Sequence, residues 1–347
     1  MSSESSFTDR TLVVSGGSRG IGLAIALGAA RLGANVVLLA KTAEPHPKLP
    51  GTVHTAVAEV EAAGGKGLAV VGDVRNEEDV QRAVDAAVQR FGGIDVVVNN
   101  ASAIATDRTE DLSAKKFDLM MDINVRGTFL LTKAALPHLR NSASAHVLTI
   151  SPPLNMNPYW LGAHPSYTLS KYGMTLLSLG WANEYADAGI GFSCLWPQTY
   201  IATSAVTNLG GGDALVAACR SPEIMADSAV ASLSRPPAEV NGECFIDADV
   251  LTAAGVTDSS IAAWPWGAYL GDDAVTKGVR LKISSWTRHD HNIMPPASKT
   301  TGNYANSTLA KMEAVRAGYD EAIMLNGAGL VSECSGENIF VGRGDLL

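Results

Sequence analysis

Short apolar runs rich in β-branched residues alternate along this chain with longer stretches whose apolar positions recur every three or four residues. The runs at 11–14, 34–40, 67–71, 94–98, 146–150 and 191–195 have the length and composition of buried strands. Between them, residues 23–30, 53–63 and 77–91 carry helical spacing, and Gly64-Gly65 and Gly92-Gly93 close the last two helices. Strands separated by helices predict a parallel sheet covered on both faces. With right-handed crossovers this is an α/β fold, a doubly wound parallel sheet of Rossmann type that binds ligands outside the carboxyl ends of its strands. Asp73, Asn99, Ser151 and Pro197 each follow a predicted strand at that edge.

From about Ile261 the character changes, and Trp264 and Trp266 crowd into one short segment. Residues 306–317 then predict a helix stopped by Gly318, while 321–325, Val331 and 339–341 predict strands. The chain is expected to divide into a domain of residues 1–258 and an appended segment, 259–347.

A length of 347 residues suffices for a sizeable core, and 46% hydrophobic with 18% charged residues describes an ordinary soluble globular protein. Lys and Arg number 26 against 35 Asp and Glu, a net charge of −9 that disfavours nucleic acid or an anionic membrane as partner. No apolar run is long enough to predict a membrane span, and the polar, acidic start Met1-Ser2-Ser3-Glu4 is unlike a targeting peptide, so a cytoplasmic location is expected. Cys194, Cys219, Cys244 and Cys334 are scattered, which predicts reduced thiols. His289-Asp290-His291 offers fewer ligands than a closed metal site needs, and no metal is expected.

The loop Ser15-Gly16-Gly17-Ser18-Arg19-Gly20-Ile21-Gly22 joins the first strand to the first helix. Gly16, Gly20 and Gly22 let backbone approach a pyrophosphate, and the helix end that follows supplies free N–H groups. An acid at the end of the second strand would hold ribose hydroxyls, but this chain has Ala40-Lys41-Thr42 there. Lys41 and Arg19 instead suit a 2′-phosphate, which favours NADP (NADPH) over NAD. Glu44 lies beyond the strand and is expected to face solvent. Tyr167 and Lys171 stand four apart on a predicted helix, so they share a face. A phenol ordinarily titrates near pKa ~10, and an ammonium beside it lowers that value, making the pair an acid–base candidate.

These motifs, with Asp73-Val74, Asn99-Asn100-Ala101-Ser102 and Asn124-Val125-Arg126-Gly127, resemble the short-chain dehydrogenase/reductase family over about residues 10–257. Within that family, the stretches 41–48, 150–155 and Leu195-Trp196-Pro197 are similar to the hydroxysteroid dehydrogenase-like proteins. The resemblance implies hydride transfer between a nicotinamide and a carbonyl or alcohol carbon. It implies a cofactor held by Gly16, Ser18, Arg19, Gly20, Ile21, Gly22 and Lys41, with Asp73 and Val74 at the adenine. Asn100, Ala101, Lys171, Pro197, Thr199, Ile201 and Thr203 would line the rest, Lys171 reaching the nicotinamide ribose. Tyr167 becomes the general acid, and Asn124 holds a water linking Lys171 to solvent.

Two positions depart from the family pattern. Ser102 stands where its turn has glycine. The serine expected to stabilise the substrate oxygen is represented by Ser151, which lies farther from Tyr167 than usual, or by Pro152, which has no donor. Either Ser151 is re-aimed or another group polarises the carbonyl. Pro152, Pro153, Leu154, Trp160 and Leu161 suggest an apolar wall, and 204–222, hinged at Gly210-Gly211-Gly212, a lid. A hydrophobic carbonyl or alcohol substrate and a homo-oligomer are the expected partners.

The appended segment resembles the middle of a class IV pyridoxal-phosphate enzyme, the branched-chain aminotransferase. Lys299 matches the Schiff-base lysine, Tyr304 the residue at the cofactor's phenolic oxygen, and Glu333 the partner of the pyridine nitrogen. That family's upstream arginine and downstream phosphate-binding segments have no counterpart, so the site is expected to be vestigial and pyridoxal phosphate non-functional. The whole reads as a dehydrogenase fused to a partial α+β aminotransferase fragment. A bifunctional redox and transamination enzyme and a non-catalytic NADP-binding protein are the alternatives.

Overall fold

Strand β1 (Thr11–Ser15) pairs in parallel with β2 (Asn35–Ala40) on one side and β4 (Val96–Asn99) on the other, Val13 lying level with both Val37 and Val97. With β3 (Lys66–Val71), β5 (Ala145–Thr149), β6 (Ile190–Trp196) and β7 (Glu243–Ile246), the sheet order is β3-β2-β1-β4-β5-β6-β7. Every pairing within it is parallel. Strand order reverses between β1 and β4, where a doubly wound sheet opens its ligand crevice. The computed structural model describes residues 7–45, 50–207, 219–255, 280–286 and 304–334. The chain splits into two compact units, Met1–Ala262 and Ala263–Leu347.

All residues of β1 and β2 are buried, as expected of strands covered on both faces. Alternate side chains enter opposite layers. Leu12, Val14, Leu38 and Val98 pack with Ile25, Ala26 and Ala29 of α1 (Gly20–Arg31) and Met225 and Ala229 of the helix Glu223–Leu233. Val13, Val37, Val97 and Val147 pack with Val80 and Val84 of the helix Glu77–Phe91 and Leu131 of the helix Gly127–Leu139. Asn76 caps the helix Glu77–Phe91 by accepting from Glu78 N, Glu77, Glu78 and Asp79 complement its dipole, and Gly92 (φ +90) ends it.

One irregularity bears on the site. The helix that begins at Ala114 widens into a π turn over Met121–Arg126 before continuing as Gly127–Leu139. Strand β7 was not expected from the sequence. Its Cys244 lies level with Cys194 of β6, and both thiols are free.

The second unit contains β8 (Leu281–Ile283), β9 (Glu321–Leu325) and β10 (Val331–Cys334) in the order β10-β9-β8, with the helix Tyr304–Arg316. Ala310, Ala314, Ala322 and Met324 form its small core among the described residues. The expected helix is present and Gly318 (φ +80) follows it; β9 and the start of β10 are also where they were expected, whereas β8 was not anticipated. The predicted strand at 339–341, Trp264, Trp266, His289-Asp290-His291 and Gly210-Gly211-Gly212 lie outside the described residues. Among the described residues no helix is long and apolar enough to cross a membrane.

Candidate active site

From β1 the chain turns through Gly16 (φ +67) and Gly20 (φ +59), left-handed conformations that favour glycine. Close packing is a second reason for glycine in this loop. A Cβ on Gly16 would lie 2.9 Å from Ala101 Cα, and one on Gly22 would lie 2.4 Å from Asn100 Nδ2. Ser15 Oγ accepts from the N–H groups of Asn100 and Ala101, both at 3.1 Å, while Asn100 Nδ2 donates to the carbonyls of Ser15 (3.0 Å) and Gly16 (3.1 Å). The turns after β1 and β4 are therefore fastened together at the switch point. Arg19 stands at the N-cap of α1 without a side-chain capping bond, which leaves that helix end open to an anion. Ser18 is buried beside it and Ile21 packs against the core. This cradle fits a dinucleotide pyrophosphate.

At the adenosine end, the Arg19 guanidinium donates to the carbonyls of Pro50 (3.0 Å) and Gly51 (2.9 Å). Lys41 Nζ lies 3.5 Å from Asp73 Oδ2 and remains more than half exposed. Arg75 grips the same carboxylate at 2.7 Å. The Arg75 hydrogen bond, with help from the charge of Lys41, holds Asp73 down to about 2. Val74 is buried under the helix Gly127–Leu139, where a Cβ on Gly127 would meet it at 2.8 Å. The ion pair of Lys41 with Asp73 was not foreseen.

The segment after β6 arches toward the glycine loop, since a Cβ on Gly20 would touch the Thr203 methyl at 3.3 Å. Pro197 is partly buried and Ile201 fully so. Two residues that sequence reasoning missed hold this segment. Arg220 Nε donates to Thr199 Oγ1 (2.7 Å), and Gln198 N donates to Asp247 Oδ1 (2.9 Å). No local pattern marks Arg220 or Asp247, so only the fold reveals them.

Tyr167, Ser170 and Lys171 all lie on the helix Pro165–Glu184. Tyr167 is half-buried; desolvation pushes its phenol up to about 12, opposed by a hydrogen bond from the Ser102 hydroxyl. Lys171 is buried, donating to Ile150 O (2.5 Å) and Met174 Sδ (3.3 Å). Its Nζ also lies 5.3 Å from the Trp196 ring centroid. Burial drives this amine down to about 7, with Cys194 opposing. The Lys171 amine faces β5 and β6, and desolvation is the largest influence on the Tyr167 phenol.

Asn124 is fully buried in the π turn. Its Oδ1 accepts from Ala103 N (2.7 Å), and its Nδ2 donates to Ala103 O (3.0 Å) and Ser170 Oγ (2.9 Å). The side chain is a staple between two protein segments rather than a contact to Lys171. Ser151 has no solvent exposure, and its Oγ has no hydrogen-bond partner. That hydroxyl is enclosed by protein, whereas the expectation of Ser151 as the carbonyl-polarising group requires it to face the substrate. Pro152 O accepts from Thr175 Oγ1 (2.7 Å), and Tyr172 Oη both accepts from Asn155 N and donates to Asn155 O.

Beyond these ties, Leu154, Met156, Tyr159 and Trp160 are exposed, Pro153 and Leu161 half-buried. A cleft of about 420 Å³ runs between Arg108, Thr109 and Glu110 on one side and Gly162, Ala163 and Pro165 on the other. In the second unit, Tyr304 opens a helix and Glu333 lies on β10, while Lys299 is outside the described residues. Among the described residues, no group of three or more His, Cys, Asp or Glu is placed to hold a metal ion.

The family model for short chain dehydrogenases matches residues 10–212, and that for class IV amino-transferases matches residues 245–347. Hydroxysteroid dehydrogenase-like protein 2 of Xenopus tropicalis is 52% identical over 299 residues, 86% of this chain and 71% of that protein. The Homo sapiens protein of the same name is 48% identical over 253 residues, 73% of this chain. The chain spans only 60% of that relative's length. A crystal structure of a short chain dehydrogenase from Mycobacterium thermoresistibile gives a TM-score of 0.70 at 50% identity, covering 74% of this chain and 91% of the other.

Proposed function

The chain belongs to the short chain dehydrogenase family, and we propose from that premise that its first unit is an NADP-dependent oxidoreductase interconverting a carbonyl and an alcohol on an apolar substrate. The observation that carries this reading is the half-buried Tyr167 phenol, on a helix that follows β5 at the carboxyl edge of the sheet. When bound, a nicotinamide would supply the chemistry of hydride transfer, the two electrons going to the carbonyl carbon. Tyr167 gives its proton to the oxygen that becomes the hydroxyl, and recovers a proton from solvent. In the oxidative direction the same phenol oxygen takes the proton back.

The remaining residues hold the participants. Gly16, Ser18, Gly20, Ile21 and Gly22 would cradle the pyrophosphate, Asp73 and Val74 the adenine, and Arg19 and Lys41 a 2′-phosphate. Asn100, Ala101, Pro197, Thr199, Ile201 and Thr203 would line the nicotinamide half, with Lys171 at its ribose. Leu154, Met156, Tyr159 and Trp160 leave large apolar side chains exposed on the segment between β5 and the Tyr167 helix, which supports an apolar substrate. The test is fluorescence titration of the full chain with NADPH and with NADH, followed by NADPH consumption with apolar ketones. Tyr167→Phe is expected to cut turnover by ~10²-fold or more. Unchanged turnover would overturn the acid assignment, and tighter NADH binding would overturn NADP.

For the second unit we propose no transamination. Its described core is four small or flexible side chains. Incubation with pyridoxal phosphate is expected to give no absorbance band that Lys299→Ala removes. A lysine-dependent band would favour the bifunctional alternative.

A further inference from the structure

We infer that Ser102 is the hydroxyl that polarises the substrate oxygen beside Tyr167, in the place that Ser151 cannot fill. This rests on the reading of Tyr167 as the proton donor. Reach decides between the two serines first. Ser151 is wholly buried, and the residue after it is Pro152, which has no donor to offer. Ser102 is exposed at the carboxyl end of β4, next to the switch point, and its hydroxyl lies close enough to the Tyr167 phenol to hold its pKa down.

Ser102 sits between two anchored residues. On one side, Asn100 and Ala101 are fastened to Ser15 by their N–H groups. On the other, Ala103 exchanges two hydrogen bonds with Asn124, at 2.7 and 3.0 Å. Asn124 Nδ2 continues to Ser170 Oγ at 2.9 Å, and Ser170 Oγ donates to Tyr167 O at 2.8 Å. The chain of bonds that fixes Ser102 thus ends on the residue whose phenol it neighbours. It also gives the buried Asn124 a role: joining the Ser102 turn to the Tyr167 helix across the π turn. Ser102 Oγ has a loose contact to Ala103 O at 3.4 Å, a weak bond that leaves the O–H free to turn toward a better acceptor.

The chemistry agrees. Negative charge grows on the substrate oxygen as hydride arrives, and on the phenol oxygen as its proton leaves. An O–H donor aimed at those oxygens stabilises both. Ser102 already draws the phenol pKa down against the effect of burial. A glycine at 102 could not do this. The Ser102 hydroxyl therefore supplies a donor that Pro152 does not have.

The test measures NADPH oxidation by the full chain with acetophenone, cyclohexanone and decanal as carbonyl probes, alongside the NADPH dissociation constant. Ser102→Ala is expected to lower kcat by ~10²-fold or more, the usual loss for one oxyanion donor, with NADPH affinity unchanged. Ser102→Thr, which keeps the hydroxyl, should restore most of that rate, and Ser151→Ala should stay near the wild-type rate. A wild-type kcat in Ser102→Ala, or a larger loss in Ser151→Ala, overturns the inference while Tyr167 keeps its role. Full activity in Tyr167→Phe, or no turnover by a chain that binds NADPH, overturns the underlying reading and this inference with it.

Discussion

Arg220 and Asp247 form an ion pair of 2.6 Å whose side chains are only 10% and 0% exposed. Around it, Arg220 N donates to Tyr200 O and Ala202 N donates to Arg220 O, so the pair and its backbone grip residues 198–202 from one side. Removing one partner of a buried pair leaves an uncompensated charge, typically worth ~3–5 kcal/mol. Asp247→Leu should lose stability on that scale, while the double variant Arg220→Met with Asp247→Leu should recover part of it. NADPH binding should stay weakened in both, because Gln198 N has lost Asp247 Oδ1 in each and Thr199 Oγ1 has also lost Arg220 in the double variant. Urea denaturation and NADPH titration of the three chains check this; an Asp247→Leu variant as stable as wild type would refute it.

Gly16→Ala should damage the cofactor site directly. The added methyl meets a left-handed backbone and the Ala101 Cα at 2.9 Å. Strain of this kind costs ~1–3 kcal/mol, and relief requires parting the two turns that Ser15 and Asn100 hold together. NADPH affinity should fall at least ~10-fold, as 1.4 kcal/mol corresponds to a factor of ten. Fluorescence titration reads it, and a wild-type dissociation constant would be decisive against the cradle.

Lys41→Ala should change the choice of cofactor rather than the fold. The lysine is exposed and its Asp73 partner keeps Arg75. Loss of one charge-assisted contact should weaken NADPH by about tenfold and leave NADH unchanged. Equal losses for the two cofactors would remove Lys41 from the 2′-phosphate site.

His146 makes stability depend on pH. It has no solvent exposure, and burial with the nearby charge of Arg10 pushes its pKa down to about 4 from 6.5. A folded value below the unfolded one means that the full stability is present above pH 6.5 and is lost as pH falls from there to about 4. The loss should approach about 3 kcal/mol. Melting curves between neutral and mildly acidic pH should show a smaller decline for His146→Gln than for wild type. Parallel declines would contradict the assignment.

The central strands were legible because parallel strands buried on both faces leave unbroken runs of Val, Leu and Ile, as at 11–14 and 34–40. β7 was not, since Glu243-Cys244-Phe245-Ile246 is short and begins with a charge at the sheet edge. The glycine loop was readable from its own spacing. Helical spacing also placed Tyr167 and Lys171 on one helix, but not the path of the lysine amine, which packing against β5 and β6 directs to Ile150 O. Arg220 and Asp247 are 27 residues apart, and nothing local couples them. The π turn was equally silent, because one surplus residue within a helix scarcely disturbs its apolar periodicity.

That turn makes the helical stretch 114–139 a spacer of fixed residue count. Excising one residue from 121–126 would wind the turn back to regular α-helix and remove the bulge that carries Asn124. Excising one from the α-helical flanks would rotate one half against the other by roughly 100°. Asn124 would swing away from Ala103 and Ser170 with its own chemistry unaltered. Single-residue deletions here should therefore be far more harmful than most side-chain substitutions, so the working unit at this place is length.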